Sequence, residues 1–237
     1  MPAVSSALES PAALIRGMAT VLIVLGIPLL LVSSAVRSVT MNESFYLHEF
    51  ARYGVGQVTG FSEAELSQVA QAFIQYFSSG DQTLNAQVSR SQGTIVLFNE
   101  REIAHMQDVQ SIMQVVFRAG WLALVLLLLG GGAVALFDRG AALSTLILAA
   151  GVGGGITAIL IGLLALGSFV DFGRLFLLFH SLSFANDLWL LDPSRDRLIQ
   201  LFPQGFFFDA AIQIGLRSGG IGALMALVSF IGLRVLP

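Results

Sequence analysis

Residues 115–137 read VVFRAGWLALVLLLLGGGAVALF, and Arg118 is the one charged side chain among them. A helix needs about 20 predominantly apolar residues to cross the hydrocarbon core of a bilayer, so this stretch predicts a transmembrane helix. Three further stretches meet the same requirement, at residues 17–36, 141–170 and 210–236. The sequence therefore predicts a membrane protein that is mainly α-helical and has four transmembrane helices.

The composition agrees with a membrane protein and excludes several functions. Hydrophobic residues make up 55% of the 237 residues and charged residues 11%, whereas a soluble domain carries about 25% charged residues. The formal net charge of −3 offers no basic footprint for nucleic acid, so we expect no nucleic-acid partner. The chain has no cysteine, which excludes disulfides, iron–sulfur clusters and thiolate catalysis.

The first span has an alternative interpretation as a cleaved signal peptide, because Ser33, Ser34 and Ala35 resemble a small-residue cleavage site. Its apolar run is long for a signal peptide, and Glu9 and Arg16 are the only charges ahead of it. We therefore favour an uncleaved anchor.

The spans separate three polar segments. Residues 38–114 are numerous enough for a small folded domain, and residues 138–140 predict a tight turn. Residues 171–209 mix apolar and charged side chains, which favours an interfacial or re-entrant segment. Because successive spans alternate in direction, the two long segments should lie on one side of the membrane and both termini on the other.

The distribution of arginine does not determine which side of the membrane is cytoplasmic. The side of the long segments carries more arginine, including Arg37, Arg174, Arg195 and Arg197, than the side of the termini, which carries Arg16, Arg139 and Arg234. That count favours a cytoplasmic location for the long segments. The positive-inside rule is weak, however, for loops longer than about 60 residues, and the first segment exceeds that length.

The first long segment contains a complete helix start. Ser62 can cap the helix and Glu65 can close a capping box, while Phe61 and Leu66 form a hydrophobic staple. Apolar residues recur at helical spacing behind this start until Gly80, which predicts the end of the helix.

A short strand is predicted at residues 93–98, and a second capping box follows it. Asn99 and Glu102 supply the caps, and Phe98 and Ile103 form the staple. No helix breaker follows before residue 115, so this helix should continue into the second span. We therefore expect a small α/β loop domain.

The candidate catalytic residues are histidines. His105 has Glu102 and Asp108 three positions away on either side, and residues at this spacing share a helix face. A carboxylate there can orient an imidazole, although a solvated helix face with incidental charges would have the same spacing. His48 is followed by Glu49, but residues 50–52 do not complete an HExxH zinc motif.

His180 lies in the run 172–184, which is too charged to cross the membrane fully. Ionisable groups at membrane depth are costly and therefore suggest function, although a polar tip at the lipid headgroups is an alternative. Trp189 is typical of a membrane interface. Phe202 and residues 206–208 are predicted to press into the headgroup boundary.

Several catalytic motifs are missing from the sequence. There is no GxSxG nucleophile elbow, no HExxH zinc motif and no P-loop. A zinc site built from three histidines is possible in principle, but nothing in the spacing requires one.

Two segments resemble the signatures of a known family. They are residues 105–109, HMQDV, and residues 179–207, FHSLSFANDLWLLDPSRDRLIQLFPQGFF. Together with Tyr53, Thr59, Gly60 and the four-span layout, they are similar to the bacterial lipoprotein intramolecular transacylase family, Lit. The second segment is long and specific, whereas the first is short.

The resemblance implies an acyltransferase. Such an enzyme moves the sn-2 acyl chain of a diacylglyceryl lipoprotein to the α-amine of its N-terminal cysteine and leaves a lyso-form lipoprotein. It also implies a multi-pass protein of the bacterial cytoplasmic (inner) membrane with extracytoplasmic loops, since lipoproteins mature there. The expected partners are the lipoprotein and membrane lipid. We expect a monomer without cofactor or metal. No serine or cysteine nucleophile is needed, because the substrate brings its own.

The resemblance further implies that His105 and His180 form the catalytic pair. One histidine would take the amine proton, and the other would polarise the ester or return a proton. The sequence does not show which histidine has which role. The expected orienting or substrate-binding residues are Asp108, Asn186, Asp187 and Trp189.

Two other classes of function compete with this one. The chain could be a non-catalytic accessory subunit of a larger membrane complex. It could also be a metal-dependent membrane hydrolase that uses His48, His105, His180 and a carboxylate.

Overall fold

The structure is a computed structural model that describes residues 11–80, 84, 86–90, 93–138 and 140–235. Its helices are α1 (Pro11–Thr40), α2 (Glu43–Arg52), α3 (Val55–Thr59), α4 (Glu63–Ser79), α5 (Glu100–Phe137), α6 (Ala142–Ser183), α7 (Arg197–Leu201) and α8 (Gln204–Val235). Its strands are β1 (Gln87–Arg90) and β2 (Gly93–Val96), which form an antiparallel pair.

Within the described residues, four helices are long and apolar enough to cross a membrane. They are α1 from Ala13 onward, α5, α6 and α8. They contain the first two predicted spans, the third from residue 142 onward and the described part of the fourth. The prediction of a mainly helical chain with four candidate membrane helices is therefore confirmed. Arg139, in the predicted turn, and residue 236, at the end of the fourth predicted span, lie outside the described residues.

The chain divides into two compact units. The helical unit comprises the described parts of residues 1–34, 118–162 and 215–237, and the site unit comprises those of residues 35–117 and 163–214.

Glycines bring backbones together in the helical unit. A Cβ atom added to Gly154 of α6 would lie 2.6 Å from the carbonyl oxygen of Gly222 in α8, and the converse distance is also 2.6 Å. A Cβ added to Gly219 would lie 2.9 Å from the side chain of Ile161. Small residues allow such close approach in lipid, so these glycines are sites where the helices pack backbone to backbone.

Aromatic rings form the core of the site unit. Phe45 and Phe50 of α2 pack against Phe202 and Phe206, with ring centroids 5.2–6.1 Å apart. Phe202 and Phe206 are buried, so the prediction that both lie at the headgroups is wrong. The beginning of α8 is amphipathic, and only the structure shows that these two rings point inward while Phe207 remains 39% exposed.

Two helices of the site unit complete each other's hydrogen bonds. The capping box of α4 is confirmed, since Ser62 and Glu65 exchange the expected bonds. At the other end of α4, Gln110 and Gln114 of α5 donate to the carbonyl oxygens of Tyr76 and Phe77, at 2.8 and 2.9 Å. The last carbonyls of a helix lack partners within it, so these two amides fix α5 against α4.

The second long segment differs from the sequence prediction. Residues 172–183 are a continuation of α6, and the break is confined to Asp171, with φ −159° and ψ 87°. The Oδ1 atom of Asp171 accepts a hydrogen bond from the backbone N–H of Arg174 at 3.0 Å. This is the bond of an N-cap, so Asp171 restarts the helix that carries His180.

A buried carboxyl group lies at one edge of the site unit. Glu49 is 1% exposed, and its Oε2 atom has no hydrogen-bond partner among the described residues. Asp209 is its acidic neighbour, and Asp209 in turn accepts a 2.6 Å hydrogen bond from Tyr53 and pairs with Arg52 at 3.2 Å. Burial, followed by the hydrogen bond with Asp209 and the charge of Asp209, raises the pKa of Glu49 above its ordinary 4.5, against opposing contributions from Arg52 and His48.

We predict that Gly154→Ala destabilises the protein. The added methyl group would meet a backbone carbonyl at 2.6 Å, and overpacking of this kind costs about 1–3 kcal/mol. Gly162→Ala is the matched control, because a Cβ there meets nothing within 4 Å. The measurement is Tm in detergent, and equal Tm values for the two variants would contradict the close contact.

We predict that Glu49→Gln changes how stability depends on pH. A raised folded-state pKa means that the protonated carboxyl contributes its full stabilisation below the ordinary value of 4.5 and loses it as pH rises through the raised value. Glutamine stays neutral, so Tm should fall less from mildly acidic to mildly alkaline pH. Glu63→Gln, at the exposed start of α4, should leave that fall unchanged, and an unchanged fall in Glu49→Gln would refute the prediction.

Candidate active site

The N-terminus of α5 is held by a hydrogen-bond network in which Glu102 and Asp196 are buried and Asn99 is exposed. Asn99 Oδ1 accepts from the backbone N–H of Glu102 at 3.0 Å, and Glu102 Oε2 accepts from that of Asn99 at 2.9 Å, which confirms the predicted capping box. The second oxygen of Glu102 accepts from the backbone N–H of Leu198 in α7 at 2.7 Å. Asp196 accepts from Asn99 Nδ2 at 3.2 Å and from the backbone N–H of Asp192 at 2.7 Å.

This network places His105 on a rigid helix one turn beyond Glu102. Both carboxylate oxygens of Glu102 accept backbone hydrogen bonds, so Glu102 joins two helix starts. The sequence spacing alone predicts that Glu102 orients the imidazole of His105, whereas in the structure its oxygens bind the backbone of Asn99 and Leu198. His105 itself is 6% exposed, and its Nδ1 atom is buried without a hydrogen-bond partner in the described part of the chain.

His180 lies on the helical segment that Asp171 restarts. Its Nδ1 atom donates to the carbonyl oxygen of Phe176 at 2.8 Å. In a neutral imidazole one nitrogen carries the proton and the other a lone pair, so this bond leaves the lone pair on Nε2. The ring is packed by Phe176 at 4.2 Å and by Trp189 at 5.1 Å between centroids.

The structure brings the two imidazoles together. The ring centroids of His105 and His180 are 6.2 Å apart and their planes meet at 33°. Phe184 packs against both rings, at 5.1 and 5.5 Å. Both histidines are buried, so the pair forms one desolvated centre within the site unit.

Of the other predicted site residues, Asp108 lies on α5, and Asn186, Asp187 and Trp189 lie on the turn that follows α6. Asn186 donates from Nδ2 to Asp108 Oδ2 at 2.9 Å and accepts at Oδ1 from the backbone N–H of Leu188 at 3.1 Å. Asp187 contributes its carbonyl oxygen to this turn, which accepts from the backbone N–H of Leu190 at 3.1 Å. Asp108 thus reaches the turn that leads to Trp189.

Sequence reasoning missed Arg101. Its Nη2 atom donates to the carbonyl oxygens of Asp187 at 2.7 Å and Leu190 at 2.8 Å. The available signal was its position four residues before His105, which places the two side chains on one helix face. Nothing in the sequence shows that its partners are backbone atoms more than 80 residues away.

The residues described do not assemble a metal site. No group of three or more histidine, cysteine, aspartate or glutamate side chains that could hold a metal ion occurs among them. His48 lies on α2, where its Nε2 atom is 4.0 Å from Glu49, and its side chain is largely exposed. The chemistry that the paired imidazoles can supply is proton transfer. The hydrogen bond from His180 Nδ1 to Phe176 leaves Nε2 of His180 as the nitrogen that can accept a proton.

Comparisons with known proteins identify the family of this chain. The family model described as lipoprotein intramolecular transacylase Lit matches residues 21–207. An uncharacterised protein of Aquifex aeolicus is 24% identical over 139 residues, which cover 59% of this chain and 59% of that relative.

Solved structures show the same fold. The structure of Lit from Bacillus cereus is 22% identical, covers 92% of this chain and 95% of that one, and has a TM-score of 0.73. Two variants of that protein, in which a histidine is replaced by arginine or by alanine, match with TM-scores of 0.69. Since the family model spans most of the 237 residues, the chain belongs to Lit, a family of membrane-integral lipoprotein intramolecular transacylases and therefore of acyltransferases.

Proposed function

We propose that this chain transfers the sn-2 acyl chain of a diacylglyceryl lipoprotein to the α-amine of its N-terminal cysteine, which yields a lyso-form lipoprotein. The observation that supports the proposal is the buried pair of imidazoles, 6.2 Å apart, with the tautomer of His180 set by Phe176. Family membership supplies the class of substrate.

The reaction needs orientation more than it needs a nucleophile. The amine and the ester belong to one substrate molecule, and well-oriented intramolecular reactions reach effective molarities of about 10⁵ M or more. The amine nitrogen forms a bond to the ester carbonyl carbon, and the bond from that carbon to the glyceryl oxygen breaks. The proton lost by the amine finally resides on the glyceryl oxygen, so atoms and charge balance.

His180 is the better candidate for the base. Its Nδ1 proton is engaged by the carbonyl of Phe176, so Nε2 presents the lone pair that accepts the amine proton. His105 is then the partner that polarises the ester or returns a proton to the glyceryl oxygen. Asp108 and Asn186 serve this pair by holding the turn to α5. Trp189 packs on the imidazole of His180, and Asp187 is the remaining candidate for contact with the substrate headgroup.

The location follows from the substrate. Lipoproteins receive their lipid at the outer face of the bacterial cytoplasmic membrane, so residues 38–114 and 171–209 face outward in this proposal. That orientation opposes the arginine count, which is a weak guide for a first segment of this length. One copy of the chain supplies both imidazoles, so the proposed reaction requires no second copy and we propose a monomer.

We predict that His105→Ala and His180→Ala each abolish most of the transfer, by at least about 10²-fold, because general acid–base groups contribute roughly 10²–10⁴-fold. The measurement is mass spectrometry of lipoprotein N-termini from cells that express each variant in place of the wild type. His48→Ala is the matched control and should retain the lyso-form. Unchanged N-termini on expression of the wild type would exclude the proposed activity, and wild-type products from both histidine variants would favour an accessory role.

We predict that metal chelators leave the activity unchanged. The proposed mechanism uses imidazole nitrogens as proton carriers and requires no bound ion. The test is the transfer rate of purified protein before and after prolonged dialysis against a strong chelator. A loss that zinc restores would instead support the alternative of a metal-dependent hydrolase.

A further inference from the structure

One face of α5 is fastened to the turn after α6 at two points. Arg101, His105 and Asp108 occupy positions i, i+4 and i+7, which lie on one side of a helix. Arg101 bonds to the carbonyls of Asp187 and Leu190 at one end of this face. Asp108 receives the amide of Asn186 at the other end, so His105 lies between the two attachments.

The turn that Arg101 holds carries a ring that packs on His180. Trp189 lies between the two carbonyls that accept from Arg101, and its indole is 5.1 Å from the imidazole of His180 with an interplanar angle of 40°. Residues 184–190 have no helix or strand of their own. The carbonyl oxygen of Asp187 has one partner within the turn, the backbone N–H of Leu190 at 3.1 Å. The guanidinium of Arg101 adds charge-assisted bonds to both carbonyls, and such bonds are of above-average strength.

We propose that Arg101 is a positioning residue of the transfer reaction, because it clamps the backbone on both sides of Trp189 and so keeps the imidazole of His180 in its productive orientation. This inference rests on the proposed function. It assigns Arg101 a role through Trp189 and not through the substrate. An error of about 1 Å in the position of a reacting group can cost about 100-fold in rate, so a loosened turn should reduce turnover more than it weakens binding.

The kinetic test compares Arg101→Ala with Arg101→Lys. Alanine should lower kcat about 10- to 100-fold and leave KM within about twofold, since the lost interaction acts on the transition state. Lysine should restore most of kcat, because a single nitrogen makes both bonds and an ammonium has three donors. Arg174→Ala is the matched control, with a side chain that is 88% exposed and paired within its own helix.

A second measurement follows the turn without using activity. Trp121 is the other tryptophan, so Trp121→Phe leaves Trp189 as the only indole. In that background, acrylamide should quench Trp189 more strongly in Arg101→Ala than in the parent protein, and Arg101→Lys should return to the parent value. If Arg101→Ala does not fold, Arg101→Gln takes its place with the same expectations.

Two results would overturn the inference. One is wild-type kcat in Arg101→Ala or Arg101→Gln, and the other is a loss of kcat with no change in the quenching of Trp189. Failure of the proposed function would differ from both, because the wild-type protein itself would then show no transfer and the inference would fall with it.

Discussion

The site unit depends on the hydrogen bonds that the carboxylate of Glu102 accepts from two helix starts. Glu102 is 1% exposed and accepts backbone N–H groups at the beginnings of α5 and α7. A buried donor that loses its acceptor costs about 1–3 kcal/mol, and removal of this side chain would orphan two donors at once. The same contacts fix the first turn of α5, and with it the face that presents Arg101, His105 and Asp108 to the turn after α6.

The fold was predictable wherever its cause is local. Hydropathy marks the four long helices, and the capping boxes at Ser62 and Asn99 depend on residues three positions apart. The strand β1 was missed, because Gln87–Arg90 is short and mostly polar and is fixed by pairing with β2. The restart of α6 at Asp171 was also missed. A single capping side chain turns this position into a one-residue break within a helix, and the charged residues around it had favoured an interfacial segment.

The candidate site was only partly predictable for the same physical reason. His105 and His180 stand out as ionisable groups near apolar runs, and the resemblance to Lit links them. Their packing against Phe184 and Trp189 depends on tertiary structure that has no periodic signature. The role of Arg101 could not be predicted from the sequence, because it binds backbone carbonyl oxygens. Every residue type has a backbone carbonyl, so no sequence pattern marks its partners.

The aromatic enclosure of the two imidazoles has a consequence for the fate of the acyl group. Phe176, Phe184 and Trp189 cover the rings, and a covered centre holds few water molecules. Water and an amine compete for any activated ester, so in the proposed reaction exclusion of water would direct the acyl chain to nitrogen. Fatty acid released by hydrolysis would then be a minor product, and the ratio of aminolysis to hydrolysis would report how closely those three rings shut the centre from solvent.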